Sequence, residues 1–249
     1  MLLNKFKFSL FEDMNFKNER LLIIAPHADD EIGCSGLIDK VKKEGGKVYL
    51  QILAMGAFNK IGAKKIDKDN WKKEFLQVKK FLKIDDYDIT FFDDETILRL
   101  DTIPLVDIVN ILEQKSKISI SKIRPTIVAI PTMFSYHQDH IATFKASITA
   151  LRVRPQTKKN FVPNTILSYE APEYSSWSPY SEVGIFSPNF YVQLNKENVN
   201  RKIKALNFYK AQLRKNHRDK NSILRLCSYR GSEIGAEYAE AFHIHRLYF

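Results

Sequence analysis

Arg20 to Gly36, RLLIIAPHADDEIGCSG, joins a short apolar strand to a concentration of side chains able to hold a metal ion and move protons. Leu21 to Ala25 is a continuous apolar run of the kind that forms a strand buried on both faces. From Gly36 to Lys43, Leu37, Ile38 and Val41 then fall at helical spacing. The polar residues between them sit at the carboxyl end of the strand, the edge of an open α/β sheet where connecting loops diverge and ligands bind. His27 and Asp30 are three apart, so one bend can aim an imidazole nitrogen and a carboxylate oxygen at a common point.

Two such ligands do not hold a catalytic zinc ion, which takes three protein ligands and leaves a fourth position for water. A third candidate lies in FSYHQDHIATF, where His137, Asp139 and His140 follow the apolar run Thr126 to Ile130 and precede an amphipathic segment, Ile141, Phe144, Ile148 and Leu151. Taken alone, either cluster also reads as a capping feature, because acidic residues favour the positive end of a helix. Together they hold three of the six histidines at equivalent strand-to-helix turns, and two such turns on neighbouring parallel strands converge on one point.

His27-Ala28-Asp29-Asp30-Glu31 resembles the His-Pro-Asp-Asp-Glu signature of the PIG-L/LmbE-like zinc-dependent N-acetylglucosaminyl deacetylases, and His137-Gln138-Asp139-His140 resembles their His-x-Asp-His motif. Tyr229 to Phe242, YRGSEIGAEYAEAF, is similar to the closing segment of bacterial members. The resemblance implies His27, Asp30 and His140 as ligands of Zn2+, with another divalent ion such as Fe2+ as the alternative, and Asp29 as the general base. It implies that His137, oriented by Asp139, stands over the scissile amide. Zinc lowers the pKa of a bound water from about 15.7 towards 7, and the adjacent carboxylate completes its deprotonation. Either Asp29 or His137 then protonates the departing amine. Arg230 and Glu240, in the closing segment, are expected to contact substrate. Two positions depart from the family pattern: Ala28 replaces a proline, and Trp71, in Trp71-Lys72-Lys73-Glu74, stands where many members carry arginine. An indole lacks the bidentate fork of a guanidinium, and Lys72 offers only a point charge in its place.

Along the chain, Met1 to Asn18 reads as a flanking arm, Gly45-Gly46 ends the first helix, and Lys47 to Leu53 is a second strand. The loop Ala54 to Asp69 carries Gly56 and Gly62 and is either a pocket wall or plain surface. Trp71, Phe75, Val78 and Leu82 give Asn70 to Lys83 a core-facing stripe. Asp88 to Phe92 is a third strand, and Asp93-Asp94-Glu95 at its end are solvated loop acids or rim charges. Leu105, Val109 and Leu112 mark a helix ended before Pro125, Thr165 to Glu170 a further strand, and Lys196 to Leu213 a late helix. Tyr169 to Tyr191 is rich in aromatics and proline, suiting either a surface lobe or a wall that stacks on sugar rings. His243 and His245 share one face of a strand, without a third ligand nearby. This alternation predicts an α/β fold, a Rossmann-like three-layer α/β/α sandwich with a mostly parallel sheet, in which residues 1–249 form one domain and 1–18 its arm.

The 249 residues suffice for one core without staples, and 44% hydrophobic with 27% charged residues is ordinary for a globular protein. Cys34 and Cys227 lie far apart, and neither a cleavable leader nor an 18-residue apolar span is evident, which points to the cytoplasm and reduced thiols. A net charge of +10 suggests an anionic partner. The lysines scatter over Lys40 to Lys47, Lys60 to Lys83 and Lys196 to Lys220 without any nucleic-acid recognition motif, so a small anionic molecule or glycan is favoured over DNA or RNA. A homo-oligomer is compatible with the sequence. The expected activity is removal of the acetyl group from an N-acetylglucosamine-type sugar in a glycan, nucleotide sugar or glycolipid precursor. The rivals are a zinc amidase acting on a larger thiol- or nucleotide-linked amide, a catalytically silent metal-binding module, and a basic nucleic-acid-binding protein. Intact Asp29 and His137 speak against the silent module, since neither is needed merely to hold zinc.

Overall fold

The computed structural model describes residues 16–59, 65–155, 161–172, 184–213 and 218–248. The opening apolar run forms β1 (Arg20–Ala25), buried from Leu21 onward, as a strand covered on both faces must be. β2 (Lys47–Ala54) and β3 (Asp86–Phe91) follow on one side of it. The chain then returns to the other side with β4 (Ile127–Pro131) and β5 (Thr165–Tyr169). These five strands are parallel. β6 (Phe190–Leu194) and β7 (Tyr238–Leu247) complete a seven-stranded sheet of order β3-β2-β1-β4-β5-β7-β6, with β7 antiparallel to both of its neighbours. Because the path reverses between β1 and β4, the loops after these two strands part and leave a crevice.

Helices cover both faces. α1 (Ser35–Lys43) follows β1 and stops where Gly45 takes φ +88°, a left-handed conformation that glycine adopts without cost. α2 (Lys68–Leu82) starts at Asp67, whose side chain accepts from the Asn70 N–H, and buries Trp71, Phe75, Val78 and Leu82 as its spacing predicts. α3 (Leu105–Asn110) continues into a single π turn, Ile111–Lys115, and α4 (Ile120–Ile123) is separate from it, so the one expected helix is broken. α5 (Gln138–Ala150) packs behind β4 and against α3. α6 (Lys196–Leu206) lies against α1 and α2 and leads to α7 (Lys220–Ser232).

The α/β architecture and mostly parallel sheet are as expected. The late helix ends at Leu206 rather than Leu213, because the chain turns there and Tyr209 is drawn into the core. α7 has weak amphipathic spacing and β6 begins in the aromatic-rich stretch, so neither was expected, whereas the strand expected at His243 and His245 is the second half of β7. Residues 1–15 of the expected arm lie outside the described residues, while Phe16 is buried and its N–H donates to Glu44. Gly62 and residues 173–183 of the aromatic stretch also lie outside them. Among the described residues no helix is long and apolar enough to cross a membrane.

Candidate active site

The turn after β1 is held by its own polar groups. The His27 N–H donates to Asp30 Oδ2 at 3.1 Å, and a 3-10 turn, Asp30–Cys34, runs directly into α1. Asp29 enters this turn with φ 105° and ψ −19°, a backbone conformation that non-glycine residues avoid. The strain is held by contacts at both ends of the residue. Its N–H donates to Glu31 Oε2 at 2.8 Å, and its carboxylate meets Arg218 Nη1 at 2.9 Å. Glu31 is fully buried and also accepts from the Tyr209 hydroxyl. Burial raises its pKa to about 7, against the lowering effect of those hydrogen bonds.

The turn after β4 is built differently. The His137 N–H donates to Ser135 Oγ, and His137 Nδ1 accepts from the Asp139 N–H at 3.2 Å, which makes His137 the N-cap of α5. Capping fixes the first helical turn, which carries His140 inward. Asp139 is buried on that turn; its Oδ1 accepts from the Leu100 N–H at 2.9 Å and its Oδ2 meets His27 Nε2 at 2.8 Å. Asp139 therefore orients His27, not His137 as expected, because its carboxylate faces across the crevice rather than back along its own helix.

The two turns bring His27, Asp30 and His140 together, all buried, with one donor atom of each within 4.8 Å of the others. Asp30 Oδ2 lies 3.7 Å from His27 Nδ1 and 3.4 Å from His140 Nε2. Zinc bonds of about 2.1 Å set the ligand atoms of a tetrahedron roughly 3.4 Å apart, so this donor set fits such an ion. The Asp139 contact occupies His27 Nε2 and leaves Nδ1 facing the cluster, the arrangement by which a carboxylate fixes the tautomer of a metal-binding histidine. Burial holds the His140 pKa well below its ordinary value, reinforced by His27, His137 and Arg218. Burial likewise lowers that of His137 to about 4, helped by His27 and Arg218 and opposed by Asp139. Both rings are thus neutral near pH 7, as metal ligation requires of His140.

His137 stands beside this cluster, its ring centroid 5.1 Å from those of both His27 and His140. Since its Nδ1 accepts a backbone hydrogen bond, the neutral ring carries its proton on Nε2. Trp71 reaches the same crevice, 6.5 Å from the His27 ring, its indole N–H buried without a hydrogen-bond partner among the described residues. Lys72 does not stand in for the absent arginine; its ammonium sits 4.5 Å over the Phe92 ring. Asp93 accepts from the Thr96 N–H and caps its own turn, while Asp94 reaches back to the Ala57 N–H and to Lys68.

Arg230 and Glu240 are not brought to the cluster, a correction to the expected substrate contacts. Arg230 forms a fork on Glu170, at 2.6 and 2.9 Å, and also pairs with Glu233. Glu240, on β7, accepts from the Gly36 and Leu37 N–H groups and from Lys202, so it caps the amino end of α1. His243 and His245 lie with ring centroids 4.9 Å apart on β7, bonded to Ser187 O and Ser168 Oγ respectively. The sequence reading missed Arg218. The only local signal was the helix start Asp219-Lys220-Asn221-Ser222, and nothing in it marks the preceding arginine as a partner of Asp29.

The family model described as GlcNAc-PI de-N-acetylase, PIG-L, matches residues 22–151, which contain both turns. Uncharacterized deacetylase YaiS of Escherichia coli (strain K12) is 26% identical over 201 residues, 78% of this chain and 92% of that protein. Among solved structures, the conserved protein TT1542 from Thermus thermophilus aligns with TM-score 0.70 at 22% identity, covering 92% of this chain and 96% of that one. The N,N'-diacetylchitobiose deacetylase from Pyrococcus horikoshii aligns with TM-score 0.67 at 19% identity, covering 91% and 83%. Identities this low carry the fold alone, but the family match spans more than half of the chain and takes in His27, Asp29, Asp30, His137, Asp139 and His140. The chain belongs to the PIG-L family.

Proposed function

We propose that this crevice hydrolyses the acetamido group of an N-acetylhexosamine-type sugar with the help of a divalent ion, zinc before Fe2+. The observation that carries this reading is the convergence of His27, Asp30 and His140 within 4.8 Å, with Asp29 adjacent in sequence but turned away to Arg218. The substrate class rests on the relatives: one similar protein is designated a deacetylase and a structural neighbour is a diacetylchitobiose deacetylase. The net charge of +10 favours an anionic version of such a sugar, free, nucleotide-linked or lipid-linked.

His27, Asp30 and His140 would hold the ion. When bound, it supplies a Lewis acid that polarises the amide carbonyl and acidifies a water from about 15.7 towards 7. Asp29 accepts the proton of the attacking water. Its carboxylate meets Arg218 Nη1 while Asp30 Oδ2 faces His27 and His140, so base and ligand act side by side without competing for one position. His137 donates from Nε2 to the carbonyl oxygen as charge develops there, which a neutral imidazole does without a change of protonation. The departing amine takes its proton from Asp29, since a neutral His137 would have to become an imidazolate to give one.

Acetate release from a panel of N-acetylhexosamine compounds, free, nucleotide-linked and lipid-linked, tests the reading against a His140→Ala control. Acetate from at least one compound, lost in the control, is the expected result. Absence of acetate from the whole panel with stoichiometric zinc bound would remove the substrate class.

A further inference from the structure

Three buried aspartates line the crevice, and a single arginine reaches two of them. Asp29, Asp30 and Asp139 are all buried around one crevice, with Glu31 buried next to them. α2 supplies no cation: position 71 is tryptophan, and Lys72 is drawn over Phe92. The permanent positive charge comes from the opposite side, from Arg218. Its side chain is 14% exposed, and its two terminal nitrogens divide between the acids, Nη1 at 2.9 Å from Asp29 Oδ2 and Nη2 at 3.6 Å from Asp30 Oδ1.

The local sequence holds it there. Asp219, the next residue, is the N-cap of α7 in a reciprocal box: its side chain accepts from the Ser222 N–H while the Ser222 side chain accepts from the Asp219 N–H. A capping box fixes the chain entering a helix, and so fixes where the arginine begins. Asp30 is split as a result. Its Oδ1 faces the guanidinium, and its Oδ2 faces His27 and His140.

We propose that Arg218 is the positioning residue of the catalytic base, holding the Asp29 carboxylate beside the metal site and off the ion while acting as a counter-charge to the ligand Asp30. This rests on the hydrolytic reading for its consequence in turnover, but not for its consequence in metal binding. A fork spans two carboxylates where a lysine would reach one. The price of the arrangement is repulsion between a guanidinium and a divalent ion held by the same aspartate. Removing Arg218 therefore has opposite effects on the two properties: the ion binds more tightly, and the base, free to swing, works less well.

The test uses Arg218→Ala and Arg218→Lys in the full chain. Zn2+ affinity is read by chelator competition, and kcat and KM on whichever acetylated compound the native protein hydrolyses. The alanine variant is expected to bind Zn2+ roughly tenfold more tightly. Its kcat is expected to fall by about a hundredfold with KM changed by less than about threefold, and added guanidinium ion should restore part of the rate. The lysine variant keeps the charge and loses the fork, so its affinity should stay near native while kcat falls. Affinity and kcat falling together, or both unchanged, would overturn the proposal, as would a lysine variant with native kcat if the alanine variant does not fold. Should no acetylated compound be turned over, the affinity measurement still decides the counter-charge, and only the hydrolytic reading fails.

Discussion

Among the described residues, two groups of buried acids are treated in opposite ways. Around Glu170 and Glu240 every negative charge is met at close range: Arg230 forks onto Glu170, and Glu240 takes the Gly36 and Leu37 N–H groups and the Lys202 ammonium at 2.7 Å. Burial alone would lower the Lys202 pKa, yet Glu240 carries it above its ordinary value. Around His27, Asp30 and His140 the donors instead point at one another, with a single guanidinium at the margin among the described residues. A buried carboxylate with all its partners in place is part of the scaffold. One gathered with two imidazoles so that a donor atom of each lies within 4.8 Å of the others has the geometry of a cation site.

The sharpest way to break this contrast is at the base. Asp29→Ala should leave zinc stoichiometry intact and lower kcat by about 10³- to 10⁴-fold, read by acetate release and metal analysis; native turnover would remove Asp29 from that role. Glu240→Ala should act on the other group. It leaves Lys202 buried without its partner and α1 uncapped, for a loss of roughly 3 to 5 kcal/mol in denaturant unfolding, with zinc binding by the folded protein unchanged. A smaller effect is expected of Asp139→Asn, which keeps the volume but not the charge behind His27. Zinc affinity should drop about 10- to 100-fold with little change in stability, and an unchanged affinity would show that the tautomer needs no fixing.

The smallest effect concerns pH. His245 is set against Phe144 and His243 and bonded to Ser168, and burial, with His243, lowers its pKa to about 4 from 6.5. Because the unfolded chain takes up that proton first, stability should decline as pH falls from about 6.5 towards 4. Half-exposure weakens the effect by solvent screening. His245→Gln should flatten this part of the pH–stability curve measured by thermal unfolding, and an unaltered slope would mean that the ring is not held neutral by the fold.

What could be read from the sequence follows the same division. The meeting of His27, Asp30 and His140 was legible because each half is local: an apolar strand, a bend and polar residues within four positions, written twice. In the parallel half of the sheet, β1 from Leu21 onward and β4 were the most legible because they are unbroken apolar runs. Arg218 and Asp139 were read wrongly or not at all because their partners are distant in sequence. The contact of Asp139 with His27 spans 112 residues, and no local pattern encodes it. Glu240 looked like a substrate contact because it sits in a family-like segment, yet its oxygens cap a helix more than 200 residues earlier. β7 was read only at His243 and His245, because its amino-terminal half, Ala239 to Phe242, is buried without alternation and includes a glutamate.

The place of β7 in the sheet sets a timetable. It follows every other described element in chain order, yet it lies between β5 and β6, so during synthesis β6 has nothing to pair with until β7 has emerged from the ribosome. Glu240 arrives on the same strand, and with it the cap of α1, the helix that backs the His27 to Asp30 bend. A nascent chain can therefore carry the whole metal-binding signature and still lack the frame that makes it rigid. The last strand in chain order is thus the one that ties β5 to β6 and braces the helix behind the bend.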